Sequence, residues 1–71
     1  MKVNKQLLEE KIKDSGLKQK FIIDKIGISE QAFINKKNNK TPFRVAEVYV
    51  LCDLLRIDES EKHHIFFAKE V

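Results

Sequence analysis

Residues 19–37 read QKFIIDKIGISEQAFINKK, and the fold turns on how this stretch divides. Apolar side chains gather at Phe21, Ile22, Ile23 and Ile26, and the run stops at Gly27. That spacing predicts a helix from about Lys18 to Ile26. Ile22 and Ile26 are i,i+4 neighbours with Phe21 adjacent, and Ile23 makes the helix apolar on more than one side, as a deeply packed helix requires. Gly27 supplies the positive φ of a sharp turn. After Ile28, the Ser29 hydroxyl is suited to cap a second helix, Glu30 to Lys37. Phe33 is its main inward residue, Ala32 permits close approach, and Ile34 falls at the core edge. Glu30, Gln31, Asn35 and Lys36 are left to solvent.

The flanking sequence predicts three more helices. A first runs over residues 4–15, with Asn4 as N-cap and Val3 and Leu8 at the spacing of a hydrophobic staple. Leu8 and Ile12, with Leu7 beside them, form its apolar stripe; Gly16 ends it in the left-handed region and Leu17 plugs the turn. The helix over 30–37 ends in Asn38-Asn39, since asparagine is second to glycine in tolerating that region. Pro42 keeps Thr41 out of helix, and Phe43 is expected to pack inward. A fourth helix, about Arg44 to Leu55, carries Val45, Val48, Leu51, Cys52 and Leu55 at three- and four-residue spacing, with Ala46, Val50 and Leu54 broadening the stripe. It should be the central core helix, with Tyr49 at an edge. Asp58 and Glu61 have capping-box spacing and open a fifth helix, about Glu59 to Ala68. Ile65, Phe66 and Phe67 are consecutive, so a helix cannot turn all three into one core. The expectation is an all-α, compact bundle of about five short helices in a single domain over residues 1–71. There are no strand signals and no internal repeats.

Composition narrows the functional classes. Seventy-one residues make one small domain of marginal core, too small for most enzymes with a separate substrate pocket. The single cysteine, Cys52, rules out an intrachain disulfide framework, fits a reducing compartment, and on an apolar stripe reads as a small buried hydrophobe. The longest apolar runs fall far short of the ~18 residues of a membrane span, and the charged N-terminus has no signal-peptide core. Adjacent helical residues point about 100° apart, so His63 and His64 do not chelate one ion. With no second cysteine, no zinc site is completed. With glycines only at 16 and 27, no phosphate-cradling loop exists. The expectation is a non-catalytic protein with no metal and no cofactor.

The net charge of +3 is unevenly spread: residues 1–40 hold ten lysines against five acids, and residues 41–71 four basic residues against six acids. A basic half suggests a polyanionic partner. Two short helices joined by a glycine turn form a helix-turn-helix unit, here about residues 18–38, whose second helix can enter a DNA major groove. Glu30 and Gln31 sit near its leading end, and Asn35 shares a face with Gln31. Gln can bond adenine N6 and N7, and Glu can accept from cytosine N4. Glu30, Gln31 and Asn35 are therefore the candidate base readers. The candidate phosphate contacts are Gln19 at a helix start, then Lys36, Lys37, Asn38, Lys40, Thr41 and Arg44.

The stretch GLKQKFIIDKIGISEQAFINKKNNKTPF resembles the Cro/CI-like, XRE-type helix-turn-helix family. That family has Gln at the start of helix two, Gly in the turn, a capping Ser or Thr, an apolar residue inside helix three, then Asn-Gly-Lys and a loop. The matching residues are Gln19, Gly27, Ser29, Phe33 and Asn38-Asn39-Lys40. VYVLCDLLRI resembles the family's fourth helix, and EKHHIFFA resembles the tail of small phage-encoded members. The resemblance spans roughly residues 7–68. It implies a lambda-repressor-like domain and a sequence-specific, double-stranded-DNA-binding transcriptional regulator of phage or prophage type, a Cro-like repressor. The implied place is the cytoplasm of a bacterial host, at the nucleoid. The chain departs from the pattern at Lys18 (a Ser or Thr cap is common), Ile23 (a small residue is usual), Glu30, Lys37 (often Leu or Ile) and Asn39 (usually Gly).

The expected partners are operator DNA and a second copy of the chain, with Phe66, Phe67 and Val71 as candidate dimer contacts. The alternative is a modulator or antirepressor of the same fold that binds a partner repressor protein; the departures within the motif and the apolar tail support it. No membrane is expected among the partners.

Overall fold

Local capping chemistry sets most of the helix boundaries. In this computed structural model, which describes residues 2–67, the helices are α1 (Lys5–Ser15), α2 (Gln19–Ile26), α3 (Glu30–Lys37), α4 (Val45–Leu55) and α5 (Glu59–Phe66). The chain is thus all-helical over the described residues. The Asn4 side chain accepts from the Leu7 N–H, and Ser29 from the Ala32 N–H at 3.1 Å. Asp58 and Glu61 form the reciprocal box, each carboxylate accepting the other's backbone N–H. Gly16 and Gly27 end α1 and α2 with φ of 72° and 85°, where a Cβ would be strained. Lys18 precedes α2 as its N-cap and makes no side-chain cap. Ala68, expected to close the fifth helix, lies outside the described residues.

The end of α3 is a Schellman motif built without glycine. Lys40 N–H donates to the Asn35 carbonyl and Asn39 N–H to the Lys36 carbonyl, while Asn39 itself has φ 65°. The amide of Asn39 has a second use. Its Oδ1 accepts from the Val3 N–H at 2.8 Å and its Nδ2 donates to the Val3 carbonyl at 2.9 Å, like a neighbouring strand. The next residue, Asn4, donates its backbone N–H to the Ile65 carbonyl of α5. The N-terminal segment is thus stitched between the end of α3 and the end of α5. This long-range role carries no local sequence signal.

The core gathers Leu8, Ile22, Phe33, Leu51, Ile65 and Phe66, all essentially inaccessible to solvent. A chain of edge-on rings runs through it: Phe33 to Phe43 at 6.1 Å, and Phe43 to Phe66 at 5.8 Å. Such pairs add about 0.5–1.5 kcal/mol each beyond the area they bury. α4 packs on α2 and α1, α5 on α1, and α3 on α2.

Two sequence expectations are corrected. Phe66 is wholly buried beneath Phe43, so it cannot be a dimer contact; of the three consecutive apolar residues, Ile65 and Phe66 fill the core and Phe67 stays 41% exposed. Val45, placed on the fourth helix's buried stripe, is 68% exposed, because the inner side of that first turn is occupied by Glu47. Phe21 lies half outside on α2, with the Lys25 ammonium 5.4 Å from its ring centre. Val71 lies outside the described residues. Cys52 is half-buried against the core, and its burial pushes the thiol pKa up, as expected of an inert packing residue.

Comparing two substitutions at one position separates the two roles of Asn39. Asn39→Gly keeps the left-handed backbone but deletes both bonds to Val3, and should cost about 1–3 kcal/mol of stability in urea unfolding. Asn39→Ala adds left-handed strain and should cost about 1–2 kcal/mol more. A glycine variant as stable as the native chain would contradict the clamp.

Candidate nucleic-acid interface

Of the three candidate base readers, Gln31 and Asn35 share one face of α3, and Glu30 stands about 100° round the helix from Gln31. Glu30 and Gln31 are exposed in the first turn, and Asn35 is half-exposed one turn later. Gln31 Nε2 donates to Asn35 Oδ1 at 3.0 Å, so the two amides are joined before any ligand arrives. The bond uses one Gln31 hydrogen. Gln31 Oε1, its second N–H and both Asn35 N–H groups remain to face outward. That leaves an adjacent acceptor and donor, the set an adenine edge requires, with two more donors beside them. Glu30 lies in the first turn of α3, where the helix dipole favours a carboxylate.

The candidate phosphate contacts divide into two groups. Asn38, Lys40, Thr41 and Arg44 are exposed along the segment from the end of α3 to the start of α4. Gln19 is half-buried at the first position of α2, beside N–H groups that have no helical partner. Lys36 and Lys37, by contrast, are turned into the fold. The Lys36 ammonium meets Glu47 Oε1 at 2.5 Å, with its side chain 12% exposed. Lys37 reaches Glu9 at 3.9 Å and lies over the Phe33 ring. Both lysines hold α3 to its neighbours, so the free positive charge of this face is carried elsewhere. Lys18 and Lys20, exposed on either side of Gln19, supply it. Neither lysine carries a local sequence signal for this role: a lysine at a helix start is equally at home in solvent, and Lys18 departs from the usual Ser or Thr cap.

Glu47 is the other residue that the sequence does not single out. It is the only charged side chain that is buried among the described residues. One oxygen, Oε1, accepts both the Lys36 ammonium and the Arg44 backbone N–H at 2.8 Å. Burial pushes its carboxyl pKa up, but the Lys36 ammonium and the Arg44 N–H more than offset this and hold it below the usual range. The sole sequence cue is the position of a glutamate three residues into a helix, where it can cap the preceding backbone.

Elsewhere, Tyr49 is exposed on α4 beneath the Lys62 ammonium, and with Val45 and Phe67 it lines a small apolar cleft. His63 and His64 are both exposed, and His63 packs its ring beside Phe67. Among the described residues no cluster of His, Cys, Asp or Glu is arranged to hold a metal ion, and no helix is long and apolar enough to cross a membrane.

The chain matches no protein-family model, no curated protein and no solved structure.

The Glu47 site has a pH signature. A carboxyl whose pKa is lowered by folding adds stability that is complete above the ordinary carboxylate range and disappears as the pH falls through the lowered value. Glu61, paired with Lys11 and capping Asp58, is lowered too and contributes in the same sense. The native chain should therefore lose stability in urea titrations as the pH falls through and below the ordinary carboxylate range, and Glu47→Gln should be weaker at neutral pH with a shallower acid slope. A Glu47→Gln slope identical to the native one would contradict the assignment.

Proposed function

We propose that this chain is a small, non-catalytic, sequence-specific double-stranded-DNA-binding regulator of transcription, of the Cro-like kind its sequence resembles. The observation that carries the reading is the amide pair Gln31–Asn35, exposed on the helix that follows the Gly27 turn. Helices that enter the major groove read bases with such groups. The exposed Lys18, Lys20, Lys40 and Arg44, with Gln19, Asn38 and Thr41, would hold the phosphates on either side. Glu30 meets a cytosine N4 at the leading end. Cytoplasmic residence at the nucleoid of a bacterial host belongs to the same proposal.

Selection of bound duplexes from a random pool tests this directly: enrichment of one short motif is expected, and a pool that stays random would overturn it. On the enriched duplex, Gln31→Ala should cost about 1–3 kcal/mol and relax the sequence preference, whereas Lys40→Ala should weaken all duplexes alike. With about four phosphates neutralised by free cations, log K should fall against log salt with a slope near −3 to −4.

The apolar trio Val45, Tyr49 and Phe67 replaces Phe66 as the surface for a second copy of the chain. Tyr49→Glu should leave binding to a single half-site unchanged and abolish the cooperative occupancy of two. The same exposed trio also favours the second reading, a modulator that binds a partner repressor. That reading gains if Tyr49→Glu leaves occupancy of paired half-sites unchanged but prevents binding to a purified repressor from the same genome.

A further inference from the structure

An eight-residue helix that buries one side chain is poorly held against rotation. α3 buries Phe33 alone; its Ser29 cap is local to itself, and its dense packing is against α2 only. What fixes its pitch on the rest of the bundle must come from its last turn. There Lys37 makes a long contact to Glu9, and Asn39 clasps the N-terminal segment. Lys36 alone makes a short, largely desolvated charged contact to α4. The oxygen it meets, Glu47 Oε1, also binds the Arg44 N–H, where the Lys40–Arg44 segment becomes helix. One atom is therefore a common reference for two things: the rotation of the helix that carries Gln31 and Asn35, and the placement of the segment that carries Lys40, Thr41 and Arg44.

We propose that Lys36 and Glu47 are positioning residues for sequence discrimination: the pair sets the register between the amide face of α3 and the phosphate-binding segment, and neither residue touches DNA. This rests on the DNA-binding reading of α3. The geometry explains why the register is sensitive. Lys36 follows Asn35 directly and projects about 100° around the helix from it, so any rotation that moves one moves the other. Base-edge hydrogen bonds weaken steeply with misalignment, whereas attraction to phosphates is long-ranged and tolerant. Loss of the pair should therefore erode discrimination far more than overall affinity.

The test uses Lys36→Met, which keeps the aliphatic stem without the charge, and Glu47→Gln, whose amide oxygen can still accept the Arg44 N–H. Each is titrated with the duplex preferred by the native chain and with a scrambled duplex. Both variants should lose about ten-fold or more in the ratio of the two affinities, while binding to the scrambled duplex changes by less than about three-fold and the salt slope stays as it was. If Lys36→Met instead weakens both duplexes alike and makes the slope shallower by about one, Lys36 is a phosphate contact and the proposal is overturned. Discrimination lost in Lys36→Met but kept in Glu47→Gln would overturn the pair. Amide hydrogen exchange without DNA gives an independent reading. Residues 33–37 should lose protection in both variants relative to α1 and α5, and unchanged protection would overturn the positioning role. A native chain that discriminates no duplex would defeat the DNA-binding reading, while the exchange result would still decide whether the pair fixes α3.

Discussion

The ring of Phe33 is the constraint on which the rest of the structure depends. It is the one side chain that α3 buries, and it enters a relay of edge-on aromatic contacts through Phe43 to Phe66. Burying a phenylalanine contributes about 1.5–3 kcal/mol, enough to seat a short helix but not to orient it. The relay also explains the rest of the core. Phe43 can lie between the other two rings because the loop before it turns inward after Pro42. Phe66 must then face the core, which leaves Phe67 outside.

Orientation is supplied by polar groups around that anchor. Asn39 provides both a left-handed helix end and a two-bond clasp on Val3. Lys36 and Lys37 diverge from the same turn toward α4 and α1. A buried ion pair is a weak source of net stability, because desolvation offsets most of the attraction, but it is costly to break on one side only. Glu47 fits that description: it is buried, and one of its oxygens is shared between Lys36 of α3 and the backbone at the start of α4. The arrangement leaves the exposed face of α3 with amides that are already joined and with little charge of its own apart from Glu30.

Much of this was legible in the sequence, for identifiable reasons. The helices follow from strong local signals: Asn4, Ser29 and Asp58 as caps, Gly16 and Gly27 as left-handed ends, and the three- and four-residue spacing of Val48, Leu51 and Leu55. The exposed face of α3 was legible because Glu30, Gln31 and Asn35 are what remains once Phe33 points inward. What escaped was tertiary. Nothing in the local pattern shows that Lys36 and Lys37 turn inward, since a lysine at a helix end is equally at home in solvent. Val45 fits the apolar stripe by spacing, yet none of the described elements covers it. Asn39 reads as a substitute for glycine until its side chain meets Val3, thirty-six residues away. Phe66 and Phe67 are chemically the same, and only the end of α5 decides which is buried.

A single face thus combines a short helix tied down at its last turn, a preformed amide pair and free cations to either side, while the apolar trio Val45, Tyr49 and Phe67 belongs to other elements. The most direct measurement is the pattern of backbone amide shifts in nitrogen-labelled protein as duplex DNA is added. Salt-reversible shifts are expected at Lys18–Lys20, Glu30–Asn35 and Asn38–Arg44, with the middle of α1 unmoved. An unchanged spectrum in excess duplex, or shifts confined to α1 and α5, would contradict a DNA-binding role for this face.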